Sequence, residues 1–261
     1  MASDLEAYFD SDAERIAYEE FCASQERGLA GFDLDAPALV CRWRMANKHV
    51  PLLNRHIRAL SQRTVNGASL SHNMLSWAKQ HVEWSLAEGD YRERDGVLML
   101  VIDVNGNAAM TVGAYEPLAD TSRPALVERA AQARIEALET GVAPELLGAM
   151  ASDGRLLIAA APDEHVCGAA TLVEQLASTR GRAVEQICPC VADIPATPSL
   201  EEMRTVLDAF CAEAGSDAAF FLVSDEHGIA PADQNASADS GAAAFVAFLA
   251  DGYQKLFSQR R

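Results

Sequence analysis

The chain has 261 residues, 49% of them hydrophobic, with 21 basic against 38 acidic side chains and a formal net charge of −17. That length and apolar content suit one large core or two smaller ones. So acidic a surface favours solubility and repels phosphate backbones, which argues against a nucleic-acid partner. The longest apolar run, Ala242 to Ala250, is too short to cross a bilayer, so no membrane role is expected. The opening Met1-Ala2-Ser3-Asp4-Leu5-Glu6 has neither the basic flank nor the apolar run of an export signal. The expectation is therefore a cytoplasmic protein whose six cysteines, Cys22, Cys41, Cys167, Cys188, Cys190 and Cys211, are reduced thiols.

Ser11 and Glu14 form a capping pattern ahead of Ala13, Ala17 and Phe21, which repeat at helical spacing, and the helix ends near Gly28. Ala38 to Arg44 reads as a strand, and its alternation would put Arg42 and Arg44 on one face. A turn at Asn47-Lys48 leads into Val50-Pro51-Leu52-Leu53, then a helix from about Asn54 to Arg63, and Asn66-Gly67 breaks the chain. A longer helix, Leu70 to Glu88, carries Trp77, His81 and Trp84 on one stripe, a pattern of core packing or of an aromatic ligand cage. Gly96 to Asp103 is a buried strand, Asn105-Gly106 is a strong hairpin turn, and Ala108 to Tyr115 is the returning strand.

Glu116 to Pro124, with two prolines, reads as the joint between a small N-terminal α+β domain over 1–118 and a larger C-terminal α/β domain over 123–261. The second part opens with a helix from Pro124 to Thr140, proline near its start and Gly141 past its end. Two short strands flank Ser152-Asp153-Gly154. Further on, a helix from Gly168 to Thr179, a strand from Ala183 to Ile187, a helix capped by Ser199 and Glu202, a buried strand from Ala218 to Val223 and a last helix from Ser240 alternate. Such alternation predicts strands packed against helices.

Three of these strands end in polar clusters: Asp163-Glu164-His165 with Cys167, then Cys188-Pro189-Cys190 with Asp193, then Ser224-Asp225-Glu226-His227. If the strands run in parallel, the clusters share the carboxyl edge of the sheet, where α/β folds bind ligands. His165, Cys188, Cys190 and His227 are the candidate metal ligands, though Cys-x-Cys lacks the Cys-x-x-Cys spacing of structural zinc sites. Solvated loops and half-buried thiols account for the same residues. Cys167 precedes a helix, where its pKa should fall and its reactivity rise, with His165 as a partner base. Gly-x-Gly-x-x-Gly, P-loop, Gly-x-Ser-x-Gly and His-Glu-x-x-His motifs do not occur.

Val50-Pro51-Leu52-Leu53-Asn54-Arg55-His56-Ile57-Arg58-Ala59-Leu60 resembles the "xPLLxxHLxRL" segment of class IV aminotransferases, a family of branched-chain and D-amino-acid aminotransferases and aminodeoxychorismate lyases. The hairpin Val97 to Tyr115, the segment Gln132 to Ala137 with Glu145-Leu146-Leu147 and Asp153-Gly154, and Phe221 to Ser224 with Gly228 to Pro231 resemble later parts of that family in order. The resemblance implies a two-domain fold, a homodimer, pyridoxal phosphate as cofactor, and a small-molecule ligand between the domains.

That cofactor needs a lysine for its Schiff base, an arginine for its phosphate and a glutamate for its ring nitrogen. The matched positions hold Ser122 or Arg123, Ala59 (with Arg55 and Arg58 adjacent) and Ile158, and no lysine lies between Lys79 and Lys255. Arg42, Arg44, Arg55, Arg58 and Ser224 are the candidate ligand-binding residues. Three readings stay open. One is an aminotransferase-like protein with a degenerate cofactor site that binds an amino-acid-like or anionic molecule. Another is an active enzyme using a displaced Lys79. The third is a metal- or thiol-dependent enzyme using Cys167, His165 and the strand-end loops.

Overall fold

A computed structural model describes residues 11–28, 32, 37–89, 91–141, 143–162, 164–187, 198–233, 235 and 239–258. The fold is a mixture of helices and strands, an α+β arrangement in which a three-stranded and a five-stranded sheet carry most of the packing.

The first sheet is antiparallel, in the order β1 (Pro37–Met45), β4 (Gly96–Asp103), β5 (Ala108–Gly113). The turn between β4 and β5 forms because Gly106 takes φ 80°, and the buried carboxylate of Asp103 accepts from the amides of Asn105 and Asn107 at 2.9 and 2.8 Å. On one face Leu39, Cys41, Trp43 and Met45 of β1 and Leu98, Leu100 and Ile102 of β4 pack beneath helices α1 (Asp12–Gly28), α2 (Leu53–Leu60) and α3 (His72–Glu88). Trp77 is in that core, stacked 4.5 Å from His81, whereas Trp84 is 54% exposed. The expected aromatic stripe is thus split along the helix axis: Trp77 reaches the core, and Trp84, two turns further on, does not. Asn66-Gly67 does more than break the chain: with φ 51° and 75° it closes a short hairpin of β2 (Thr64–Val65) and β3 (Ala68–Ser69).

The second sheet has the order β10 (Gly228–Pro231), β9 (Ala219–Ser224), β6 (Leu146–Met150), β7 (Leu156–Ile158), β8 (Val184–Gln186). β6 runs against both β7 and β9, and β7 runs with β8, so β7, β8 and β9 point the same way with β6 interposed. β6, β7 and β9 are buried along their whole length, which fits a sheet covered on both faces. Leu147, Ala149, Leu157, Phe220 and Leu222 face α4 (Arg123–Thr140) and α6 (Leu200–Ala214). Leu146, Met150, Leu156, Ile158, Phe221 and Val223 face α5 (Gly168–Ser178) and α7 (Ser240–Ser258).

Helix ends follow the capping residues. Ser199 and Glu202 complete a reciprocal capping box on α6, and Ser122 caps α4. Gly141 ends α4 at φ 63°, and a Cβ there would meet Leu39 of β1 at 2.7 Å, so the residue serves both the cap and the close approach of the first sheet. No helix among the described residues is long and apolar enough to cross a membrane.

Gly148 of β6 faces Phe221 of β9, and a Cβ there would stand 2.3 Å from the ring. Gly148→Ala should destabilise the protein by about 1–3 kcal/mol through overpacking, and Phe221→Leu in the same chain should recover part of that loss. Urea denaturation midpoints of the single and double variants decide it; an unchanged midpoint for Gly148→Ala contradicts the packing described.

Candidate functional site

The two halves meet where β1 lies against α4, α2 against α5, and the turn after β9 against both. Arg44 N–H of β1 donates to the Asp225 carbonyl at 2.9 Å, so a first-sheet strand is pinned to the turn that follows a second-sheet strand. Between them lies a cavity of about 110 Å³ lined by Arg42, Arg129, Glu136, Glu145, Ser224 and Glu226 among others. A smaller one, about 20 Å³, is lined by Cys41, Trp43, His56, Ala59, Arg63 and Asp225.

Burial identifies this region independently. Among the described residues the buried polar side chains are His56, Asp103, Glu145 and Ser224. Asp103 belongs to a turn, and the other three line these two cavities. Burying a carboxylate is costly unless it is paired, and Glu145 is paired twice. Arg129 Nε donates to Glu145 Oε2, and Ser224 Oγ donates to Glu145 Oε1. Burial works against the charge on Arg129, but Glu145 outweighs it and the guanidinium pKa is raised. Ser224 Oγ also accepts from the amides of Glu226 and His227 at 3.1 and 2.9 Å, which folds the turn back on the strand end. Glu136 bridges loosely to Arg129 at 3.9 Å and to Arg42 at 4.0 Å.

The turn's other carboxylate, Asp225, faces α5. Its Oδ1 accepts from Ala169 N–H at 2.8 Å and its Oδ2 from Gly168 N–H at 3.3 Å. His56 Nδ1 lies 3.2 Å from Oδ2 but out of line for a hydrogen bond. Burial alone would raise the Asp225 pKa; the His56 contact and the two amide bonds outweigh it and hold the carboxyl below its ordinary value.

Other expected residues fall elsewhere. Arg44 is withdrawn from the cleft: its guanidinium carbon lies 3.3 Å over the Tyr115 ring, and Tyr115 lies 5.8 Å from His227. Arg55 spans from α2 to α5, donating to Thr171 at 2.8 Å and to Gln175, and Arg58 is exposed and bonded to the Asn54 carbonyl. Neither lines the two cavities, because the inward stripe of α2 is His56, Ala59 and Leu60, at helical spacing, and Arg63 continues it. Lys79 sits on α3 and lines neither cavity. Lys48 donates to the Gly89 carbonyl at 3.1 Å, and Lys255 lies near the end of α7.

The expectation of a reactive Cys167 is reversed. Cys167 stands at the N-cap of α5, but it is 2% exposed, and burial together with the nearby Asp225 carboxylate pushes its thiol well above its ordinary pKa. His165 is exposed, and its carbonyl accepts from Arg63 at 2.9 Å. His227 lies 4.0 Å from Glu145, and burial lowers its pKa. Cys188 and Cys190 lie outside the described residues, and among the described residues no three His, Cys, Asp or Glu side chains are grouped to hold a metal.

Arg129, Glu136 and Glu145 were missed in the sequence because they read as solvent-facing residues of a helix and a strand start. Only the interior position of Glu145 shows otherwise.

No family profile and no curated protein matches the sequence. Solved structures do resemble it. A protein described as a candidate branched-chain amino acid aminotransferase from Thermotoga maritima aligns over 90% of this chain and 89% of its own, at a TM-score of 0.52 and 12% identity. A hypothetical aminotransferase from Mycobacterium tuberculosis in its PLP-bound form aligns over 84% of this chain and 89% of its own, at a TM-score of 0.49 and 13% identity. The chain shares the α+β fold of the Thermotoga protein over most of its length.

Cys41 and Cys167 should resist alkylation in the native protein, their thiols being buried and the former pushed up to about 12, while the partly exposed Cys22 is modified first and Cys211, pushed up to about 11 by burial, more slowly. Peptide mapping after iodoacetamide treatment checks this, and rapid native labelling of Cys167 would contradict it. A second outcome concerns acid. Because the folded pKa of Asp225 is lowered, its stabilisation is complete above about pH 4 and is lost as pH falls through the depressed value. Asp225→Asn should therefore be less stable than the parent at pH 7 and show a flatter stability profile below pH 4, read from urea midpoints across the pH range.

Proposed function

We propose that this protein is a class IV aminotransferase-like binding protein that takes an amino-acid-like small molecule in the cleft between its sheets and forms no Schiff base with pyridoxal phosphate. One observation carries the reading: the cleft presents opposite charges and no amine. Arg42 and Arg129 stand against Glu136, Glu145 and Glu226, and none of Lys48, Lys79 and Lys255 is among the residues lining either cavity. The residues do not fit the cofactor that the fold suggests. Ser122 caps α4 where the lysine would precede it, Ile158 is buried among apolar side chains where the ring glutamate would stand, and Ala59 replaces the phosphate arginine.

The charge pattern selects the ligand class. Arg129 is committed to Glu145, whereas Arg42 is half exposed and, among the described residues, held by a 4.0 Å contact to Glu136. Arg42 is therefore the group for a ligand carboxylate. Glu136 and Glu226 are the groups for an ammonium. With more acidic than basic side chains around it, the cleft disfavours a purely anionic molecule and favours a zwitterion. On this reading the two sheets with their helices form two domains, over 1–118 and 123–261, that hold the ligand between them. A cytoplasmic homodimer is the accompanying expectation, open to sedimentation measurements and cell fractionation.

Titration calorimetry with a panel of free amino acids tests the proposal. A subset should bind, and Arg42→Ala should weaken that binding about tenfold or more, the loss of one charge-assisted contact of about 1.5–3 kcal/mol. Incubation with pyridoxal phosphate followed by borohydride should leave no stoichiometric pyridoxyl adduct by mass spectrometry. A stoichiometric adduct at Lys79 would instead establish the displaced-lysine enzyme, and failure of every amino acid to bind would sink the binding reading.

A further inference from the structure

The geometry points to Asp225 as a resident anion: its carboxylate fills the anion cup at the start of α5 and keeps phosphate-bearing ligands out of the cleft. This rests on the reading of the cleft as a small-molecule site and adds the class of ligand that the site refuses. The first amides of a helix carry partial positive charge and point outward, which is why phosphates bind at helix starts. Here the amides of Gly168 and Ala169 are already taken by the two oxygens of Asp225, at 3.3 and 2.8 Å.

A second observation shows that the cup is built for an anion and not merely capped. His56 is 2% exposed and stacked on Trp43 with ring centroids 5.1 Å apart, and its Nδ1 has no hydrogen-bond partner. That nitrogen lies at the helix start, 3.2 Å from Asp225 Oδ2, and a Cβ on Gly168 would stand 2.6 Å from it. Arg63 lines the same small cavity and feels the Asp225 charge. Two amides and an imidazole thus stand against one carboxylate, and the Arg63 guanidinium lines the cavity beside it. A phosphate brought to these groups must displace that carboxylate or sit beside it, and like charges pressed together in a partly buried cup repel. Ala59 also lines the cavity and supplies no charge to offset the repulsion.

The test is binding of inorganic phosphate to the full-length protein, followed by calorimetry and by the amide resonances of Gly168 and Ala169. The parent should show no phosphate-dependent shift of those resonances at millimolar concentration. Asp225→Ala should bind phosphate at least about tenfold more tightly than the parent, and adding Arg63→Ala should weaken it again. Should Asp225→Ala not fold, Asp225→Asn keeps the shape and an acceptor for one of the two amides, and it should still gain phosphate affinity because the repulsion is removed and the other amide is freed. Phosphate binding at these amides in the parent, or unchanged phosphate affinity in the folded variants, overturns the proposal. Amino-acid binding by the parent, measured in parallel, reports on the cleft reading alone, so the two can fail separately.

Discussion

The turn after β9 is the constraint on which the arrangement of the two halves depends, and Asp225 is its centre. Its carbonyl accepts from Arg44 of the first sheet, its carboxylate accepts from the start of α5, and His56 of α2 lies against it. One residue therefore touches a strand of the first sheet, a helix of the first half and a helix of the second. The charge is tolerable in a largely enclosed place because two amides and the His56 contact hold it there. Without those partners, burying a carboxylate would cost more than a single turn returns.

The same logic organises the cavity beside it. Glu145 sits just before β6, buried, and is held by Arg129 from α4 and Ser224 from the end of β9. Three elements of the second half are thereby fixed at the edge that faces β1. Ser224 both donates to Glu145 and accepts two turn amides, so the strand end, the turn and the buried carboxylate form one network. Networks of this kind are rigid when every member is satisfied. A pre-organised wall of that sort suits a small polar ligand better than an adaptable surface would.

Much of the secondary structure is legible from local signals. Asn105-Gly106, Pro124, Gly141, and Ser199 with Glu202 each mark a boundary through their own backbone geometry or capping bond, and the structure places an element end at each. The buried strands β6, β7 and β9 are legible as short apolar runs, because a sheet covered on both faces leaves no alternation to interpret. The site is less legible. Cys167 looks activated by its helix but is silenced by burial, an effect that depends on what packs over it. Arg55 and Arg58 are adjacent in sequence to the inward stripe of α2 and yet leave it, since one residue of offset turns a side chain by about 100° on a helix. Arg129 and Glu145 carry no local mark at all, because their pairing joins residues from separate elements.

The sequence by itself determined the acidic character, the alternation of helices and strands, most element ends, and the lack of a lysine through the long stretch between Lys79 and Lys255. Those properties are set by composition and by interactions within a few residues. Tertiary structure alone decided that β7, β8 and β9 point one way with β6 reversed between them, that the Ser224–His227 turn meets β1 and α5, and that Asp225 occupies the start of that helix. Each of these is a contact between segments distant along the chain, selected by which faces bury one another, and local propensity carries no information about such a choice.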